Sequence, residues 1–171
     1  MSNSSPTSGW RRAAPIAGIV AVVIIADQVT KFVVRAKMNL GQSYPENWPA
    51  RFTHVNNTGS AFGLFDNQTI FLIIASFIAI GIILALYRQA AGHGVLRISL
   101  GLLLGGAVSN LADRIRMGHV TDFIELPRWP VFNVADSCVT LGIIILALVM
   151  IFGGKPKEAP AKQPQSKQQQ A

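Results

Sequence analysis

The sequence predicts an all-α membrane protein with four transmembrane helices and a small β-containing loop region between the first and second spans. Half of the 171 residues are apolar and only 13% are charged, whereas a soluble domain usually carries about 25% charged residues. Four apolar segments lie at about residues 13–34, 70–87, 95–112 and 134–152. Each approaches the ~20 residues that a helix needs to cross a bilayer. We therefore predict one four-span domain over residues 13–153.

The net charge of +7 also fits a membrane protein, because most basic residues border the apolar segments, where they face anionic lipid headgroups. A nucleic-acid partner is disfavoured, since no basic stripe alternates with aromatic residues. Four spans put both termini on one side of the membrane. The basic residues divide almost evenly between the two sides, so charge alone only leans towards cytoplasmic termini.

The first span follows a Ser- and Pro-rich segment, residues 1–12, which we predict to be a flexible N-terminus. The span contains Asp27 and Lys31 near its end. Residues four apart lie on one face of a helix, and an acid placed before a base is the favourable order. We therefore expect a structural ion pair, with Lys31 extending towards water.

The connection over residues 36–69 mixes β and turn signals. Polar and apolar residues alternate over 51–55, which is typical of a short half-exposed strand. The triplet Asn57-Thr58-Gly59 is a turn signal. Residues 60–65 then fit a second extended piece or an amphipathic platform.

The remaining spans differ in polarity. Residues 70–87 carry no charge, whereas the third span contains Gly101 and Gly105, whose spacing allows close helix packing. Asn110, near the end of that span, needs polar partners and is predicted to line a polar pocket. Asp136 falls in the first turn of the fourth span. Residues 154–171 are rich in Pro, Lys and Gln and are predicted to form a disordered tail.

The segment 105–137 contains four of the eight acidic residues: Asp113, Asp122, Glu125 and Asp136. A carboxylate next to hydrocarbon is costly, so such residues indicate a functional site. A turn-rich link over 126–130 lets Asp122 and Asp136 meet at the membrane surface. Two close carboxylates share a proton, and one can activate water while the other protonates a leaving amine, as in aspartic proteases.

The helix dipole favours an ionised Asp136, and desolvation beside Phe123, Trp129 and lipid favours a protonated Asp122. The interpretation therefore assigns Asp136 as the resting carboxylate and Asp122 as the resting acid. Because coupled groups titrate together, the pairing of the two aspartates is the main prediction.

A metal site is the alternative chemistry for this segment. Asp122, Asp136, Asn133 and His119 include oxygen ligands that suit a hard cation, but their spacing lacks the dense pattern of a calcium loop. We therefore predict no metal and no other cofactor.

Two non-enzymatic functions also remain open at this point. A small transporter would use Asp27, Lys31 and Asp113 as an ion path, although it would require polar residues along several spans. An assembly factor would bind a partner helix through Gly101 and Gly105, which leaves the aspartate pair unexplained.

Five short motifs occur in one order along the chain: DQVTK at 27–31, NTGSAFG at 57–63, GGAVSNLADR at 105–114, GHVTDFI at 118–124 and FNVADS at 132–137. Together with four spans, they resemble the bacterial lipoprotein signal peptidase (signal peptidase II) family. The resemblance runs from about Asp27 to the end of the fourth span.

The resemblance implies a metal-free intramembrane aspartic endopeptidase that cleaves prolipoproteins before a cysteine carrying diacylglycerol. It implies Asp122 and Asp136 as the catalytic pair. The supporting polar and substrate-binding positions it implies are Asp27, Lys31, Asn57, Asn110, Asp113, Arg114 and Asn133. It also implies inhibition by globomycin, and an inner-membrane enzyme with both termini cytoplasmic and the site, with its covering cradle, on the extracytoplasmic side. We expect a monomer.

Two further expectations concern the surroundings of the pair. Asp113 and Arg114 are interpreted as a structural ion pair that closes the third helix. Phe62, Phe65 and Trp129 are candidates for an apolar roof over acyl chains.

Overall fold

The computed structural model describes residues 7–59, 68–89 and 94–152, in which four helices and three strands are formed. Residues 60–67, with Phe62 and Phe65, and the tail 154–171 lie outside the described residues. The helices and strands occur in the order α1 Thr7–Lys37, β1 Ser43–Tyr44, β2 Arg51–Asn57, α2 Gln68–Gln89, α3 Gly94–Met117, β3 Val120–Glu125 and α4 Val134–Phe152.

All four helices contain a segment long and apolar enough to cross a membrane: Ile16–Lys37, Thr69–Arg88, Gly94–Met117 and Val134–Phe152. The predicted fold class is therefore confirmed. The third helix continues beyond the predicted end at residue 112. Asp113 and Arg114 are consequently helical residues, which fixes the directions in which their side chains point.

The bundle is organised around α3, which packs against the other three helices. Its apolar half contributes Leu100 and Leu103 to a core with Ile16 and Ile83. Close packing is possible because glycines face the neighbouring helices. A Cβ atom on Gly105 would lie 2.7 Å from Val23 Cβ, and one on Gly101 would lie 2.9 Å from Ile19 Cγ2. The packing role predicted for these two glycines is confirmed.

α3 and α4 approach each other in the same way. A Cβ atom on Gly106 would lie 2.6 Å from the Ala135 carbonyl oxygen, and one on Gly142 would lie 2.8 Å from Leu103 Cγ. The contact between Gly106 and Ala135 lies one residue before Asp136. Close helix packing therefore holds the start of the fourth span against α3.

A three-stranded antiparallel sheet, in the order β1-β2-β3, lies at the end of the bundle where α1 and α3 finish and α4 starts. The strand predicted over 51–55 is β2. In its pairing with β3, Val55 lies opposite Asp122, and Asn57 lies opposite Val120. Arg51 pairs with Glu125 across the same two strands, with an N–O distance of 2.8 Å. Glu125 therefore has a structural partner in the sheet.

Two strands of the sheet, β1 and β2, lie between spans one and two, as the sequence predicts. The third strand was not predicted: β3 comes from the connection between spans three and four, and it contains Asp122. Residues Val120, Thr121, Asp122 and Phe123 are all at most 4% exposed. A strand buried on both faces lacks the polar–apolar alternation that identifies a half-exposed strand.

Candidate active site

Asp122 and Asp136 are brought together by two asparagine side chains. Asn133 Nδ2 donates to Asp122 Oδ1 at 2.6 Å, and Asn110 Nδ2 donates to Asp136 Oδ1 at 2.8 Å. The two asparagines also contact each other, since Asn133 Nδ2 lies 3.2 Å from Asn110 Oδ1. Asn110 thus has the polar partners that its position in the third span requires.

Asn133 is the N-cap of α4, and its capping explains the position of Asp136. The backbone N–H of Asp136 donates to Asn133 Oδ1 at 2.9 Å, and the backbone N–H of Asn133 donates to Asp136 Oδ2 at 3.2 Å. This reciprocal pair is a capping box, in which the cap and the third helical residue satisfy each other's free N–H groups. The Asp136 side chain is therefore fixed by the start of its own helix.

Asp122 is held from both sides. Its Oδ2 accepts a hydrogen bond of 2.8 Å from Asn57 Nδ2, and Asn133 holds its Oδ1. Burial, at 2% exposure, raises the pKa of Asp122 to about 6. The hydrogen bond from Asn57 opposes this rise, and the neighbouring charge of Asp136 adds to it. A buried carboxyl of this kind can retain its proton in weakly acidic surroundings.

Beneath the pair, Lys31 makes three contacts. Its Nζ lies 2.7 Å from Asp27 Oδ2, 2.7 Å from Asp113 Oδ2 and 2.8 Å from Asn110 Oδ1. The predicted ion pair with Asp27 is present. The expectation that Lys31 extends towards water is wrong, because its side chain is 0% exposed. All three ammonium protons have a partner inside the protein, so the charge needs no water.

The interpretation of Asp113 and Arg114 as an ion pair is also wrong, since the Asp113 carboxylate contacts Lys31. Adjacent helical residues point about 100° apart, so the two side chains leave α3 in different directions. Arg114 instead lines a cavity of about 440 Å³ together with Asp122, Asn57, Val55 and Pro130.

Trp129, in the predicted apolar roof, has a side chain that is 64% exposed.

Asp27 connects the first span to the last. Its Oδ1 accepts the backbone N–H of Ala135 at 2.8 Å, and its Oδ2 accepts the Ser109 hydroxyl at 2.7 Å. The N–H of Ala135 is one of the free donors at the start of α4, so a negative group is favoured there. This contact places the first turn of α4, which includes Asp136, against α1.

Sequence reasoning missed Gln28 and Ser109. Gln28 Nε2 donates to Asp113 Oδ1 at 2.9 Å and to the Ser109 hydroxyl at 3.0 Å. Gln28 adjoins Asp27 in an otherwise apolar span, which is a signal that it also has a buried partner. Ser109 lies one helical turn after Gly105, a spacing that is typical of small packing residues and gives no sign of a polar role.

The assembled site consists of two neighbouring carboxylates, of which Asp122 lines the cavity. Both oxygens of each carboxylate accept hydrogen bonds, and a buried charged cluster supports the pair. Such an arrangement can hold a water molecule and transfer protons between it and a peptide bond.

Comparisons with known proteins agree with this chemistry. The family model described as Signal peptidase (SPase) II matches residues 19–152. The lipoprotein signal peptidase of Bacillus velezensis is 42% identical over 147 residues, which cover 82% of this chain and 96% of that protein. The lipoprotein signal peptidase of Halothermothrix orenii is 38% identical over 133 residues, covering 77% of this chain and 92% of that protein.

Two solved structures of a bacterial membrane enzyme, determined by the in meso method at 2.3 and 1.9 Å, have the same fold. Their TM-scores are 0.75 and 0.76 at 29% identity, and they cover 85% and 82% of this chain and 94% and 95% of their own. The family resemblance inferred from the five motifs is confirmed. With four spans, a buried aspartate pair and relatives matched over most of their length, the chain belongs to the lipoprotein signal peptidase family of aspartic peptidases, signal peptidase II.

Proposed function

We propose that this signal peptidase II cleaves prolipoproteins with Asp122 and Asp136 as its catalytic pair, on the N-terminal side of a diacylglyceryl-modified cysteine. The observation that carries the proposal is the arrangement of Asn57, Asn110 and Asn133, whose side-chain amides donate hydrogen bonds to the two carboxylates. Asp122 also lines the cavity. Amides fix the orientation of a carboxylate without adding a charge that would neutralise it. The pair therefore stays free to exchange protons.

In the proposed reaction, ionised Asp136 takes a proton from water as the water oxygen attacks the carbonyl carbon of the scissile peptide. Protonated Asp122 gives its proton to the carbonyl oxygen, which forms a neutral gem-diol. Asp136 then donates the proton it took to the amine nitrogen as the C–N bond breaks. Asp122 recovers its proton from the diol as the carboxylic acid product forms. The raised pKa of Asp122 supports its assignment as the acid at rest.

The supporting residues have positioning roles in this proposal. Asp27, Lys31 and Asp113 form a buried charged cluster that supports Asn110. Lys31 contacts both aspartates and the side-chain oxygen of Asn110. Asn133 orients both aspartates. Arg114, on the cavity wall with Asp122, carries a positive charge suited to holding a carbonyl oxygen of the substrate as negative charge develops on it.

The same proposal extends to topology. The site lies at the end of the bundle where α1 and α3 finish, which is opposite the N-terminus. We place that end on the extracytoplasmic side of the inner membrane, with both termini cytoplasmic, and the enzyme as a monomer. A substrate anchored by diacylglycerol would then present its cysteine at the depth of Asp122 and Asp136.

The direct test is incubation of the purified protein with a prolipoprotein carrying diacylglyceryl-cysteine. We expect cleavage immediately before the modified cysteine, inhibition by globomycin, and undiminished activity in a strong chelator. The matched control substrate has the same sequence with an unmodified cysteine and should remain uncut. Cleavage at another peptide bond would contradict the proposed substrate, and loss of activity in the chelator would contradict the two-aspartate chemistry.

A further inference from the structure

A second cavity, of about 510 Å³, lies between the last turns of α1 and the sheet. We call it the α1–sheet groove. Its walls are almost entirely apolar, and each of the three strands contributes to it. The residues that line it are Val29, Thr30, Val33, Val34, Lys37, Met38, Gln42, Tyr44, Phe52 and Phe123.

The groove lies on one side of β3, and the cavity of about 440 Å³ that Asp122 and Arg114 line lies on the other. We call the latter the catalytic cavity. Successive residues of a strand point to opposite faces of the sheet. Asp122 lines the catalytic cavity and Phe123 lines the groove. The two cavities share no lining residue. The groove is therefore separate from the space where we place the scissile peptide.

The groove has the depth of one membrane leaflet. Val29, Val33 and Lys37 are spaced four apart and form one stripe along α1. At ~1.5 Å per residue, Val29 lies about 12 Å below Lys37, compared with ~15 Å for half of the hydrocarbon core. Val29 and Val33 are half exposed, at 54% and 50%, so the groove opens sideways towards lipid.

The upper rim of the groove carries a cation without a protein partner. The span of α1 ends at Lys37, which is exposed and forms no ion pair with any residue in the described ranges. The neighbouring Arg35 is used differently, since it donates to Thr121 Oγ1 at 3.1 Å. A lysine at this height attracts anionic headgroups.

We propose that the α1–sheet groove is a binding site for one anionic phospholipid, with an acyl chain along Val29 and Val33 and the phosphate at Lys37. The apolar walls, the opening towards hydrocarbon, the leaflet depth and the unpaired cation each match one part of such a molecule. The bound chain would pack against Phe123, directly behind the strand that carries Asp122. This site is additional to the peptidase activity and is tested without any cleavage.

The test uses the full-length protein in phosphatidylcholine vesicles that contain a small fraction of a photoreactive lipid. The probe is phosphatidylglycerol with a diazirine in its acyl chain, and the comparison probe has the same chain on phosphatidylcholine. After irradiation, peptide mass spectrometry maps the labelled residues. We expect phosphatidylglycerol to label residues 29–38 and Phe52 preferentially, above the exposed Phe71 and Ile78 of α2.

Lys37→Gln should reduce labelling of the groove by phosphatidylglycerol about fivefold, which is the effect of one basic residue at a lipid surface. Labelling by phosphatidylcholine should not change. Arg116→Gln is the matched control, because Arg116 is an exposed base in the last turn of α3 at the same end of the bundle. It should leave labelling intact.

Equal labelling of the groove by the two lipids would mean ordinary surrounding lipid and would overturn the proposal. So would an unaltered phosphatidylglycerol signal in Lys37→Gln. If excess diacylglyceryl-modified prolipoprotein removes the label from residues 29–38, the groove holds the substrate's own acyl chain, and the proposal is wrong.

Discussion

The helices α1 and α3 run through both halves of the bundle, but the two halves are held together in different ways. Near the N-terminal end of α1, Ile16, Leu100 and Leu103 pack as an apolar core. Near its C-terminal end, Lys31 and Asp113 form a fully buried ionic cluster with Asp27. The apolar half tolerates small imperfections, because dispersion contacts are weak and numerous. The ionic half does not, because each buried charge depends on two or three partners.

The glycine contacts connect the two halves. Gly105 and Gly106, about one helical turn before Asn110, bring α1 and α4 against α3. Helices this close leave no space for water between them, so every polar group beyond that point must find a partner in the protein. Close apolar packing is therefore the condition under which the ionic half can position two aspartates. The predictions below test this relation.

The largest effect should come from removing either carboxyl of the proposed catalytic pair. Asp122→Asn and Asp136→Asn should each lower kcat/KM more than about a thousandfold, equivalent to ~4 kcal/mol, since each removes one proton-transfer group. The measurement is cleavage of diacylglyceryl-modified prolipoprotein, with melting in detergent as the check on folding. The double variant should be no worse than either single one, because the two act as a unit. Substantial turnover in a folded single variant would contradict the proposed pair.

Removing the central cation should damage stability and activity together. Lys31→Met leaves Asp27 and Asp113 buried without a counter-ion, at an expected cost of about 3–5 kcal/mol in the free energy of unfolding. Unfolding in detergent would measure it. Arg116→Met is the control, because an exposed base on the same end of the bundle should change stability by only about 0.5 kcal/mol. Similar stabilities of these two variants would show that the buried cluster does not hold the ionic half together.

The pH dependence of stability isolates the contribution of Asp122. Its folded pKa of about 6 lies above the ordinary aspartate value of about 3.9, so the folded state binds the proton more tightly than the unfolded state. Stability from this group is complete below about pH 4, falls as pH rises towards about 6 and is level above that, for a total loss of roughly 3 kcal/mol. Melting of the parent and of Asp122→Asn between pH 4 and pH 7 should diverge by this amount. Parallel curves would rule out a protonated Asp122.

A smaller effect should follow from disturbing the apolar contact next to the site. The added Cβ in Gly106→Ala meets the Ala135 carbonyl oxygen at 2.6 Å, so α4 must shift, at an expected cost of about 1–3 kcal/mol. Activity should fall as well, because Asp136 moves with the helix. Gly81→Ala is the matched control: its Cβ meets nothing within 4 Å, and alanine is the better helix former. Equal activity in both variants would show that the packing of α4 against α3 does not position Asp136 for catalysis.

Sequence reasoning was most successful where one helix supplied the whole signal. The four spans, the Asp27/Lys31 pair and the location of Asp136 in a first turn follow from segment length and from a spacing of four residues. It failed where the partner comes from another element. Nothing in the spacing of Asp113 indicates Lys31, which lies on a different helix. The first four residues of β3 are all buried, so they show no polar–apolar alternation. Contacts between distant segments depend on the packing angle of the helices, which local patterns do not contain.

The hydrogen bond between Asp27 and the N–H of Ala135 joins residues 108 positions apart in the chain. Membrane proteins are synthesised from the N-terminus, so the ribosome has produced three spans before this contact can form. Until the fourth span docks, Asp136 has neither its hydrogen bond from Asn110 nor its place beside Asp122. The proposed catalytic pair thus cannot form while the first three spans are being inserted. The proposed site is therefore complete only when the bundle is complete.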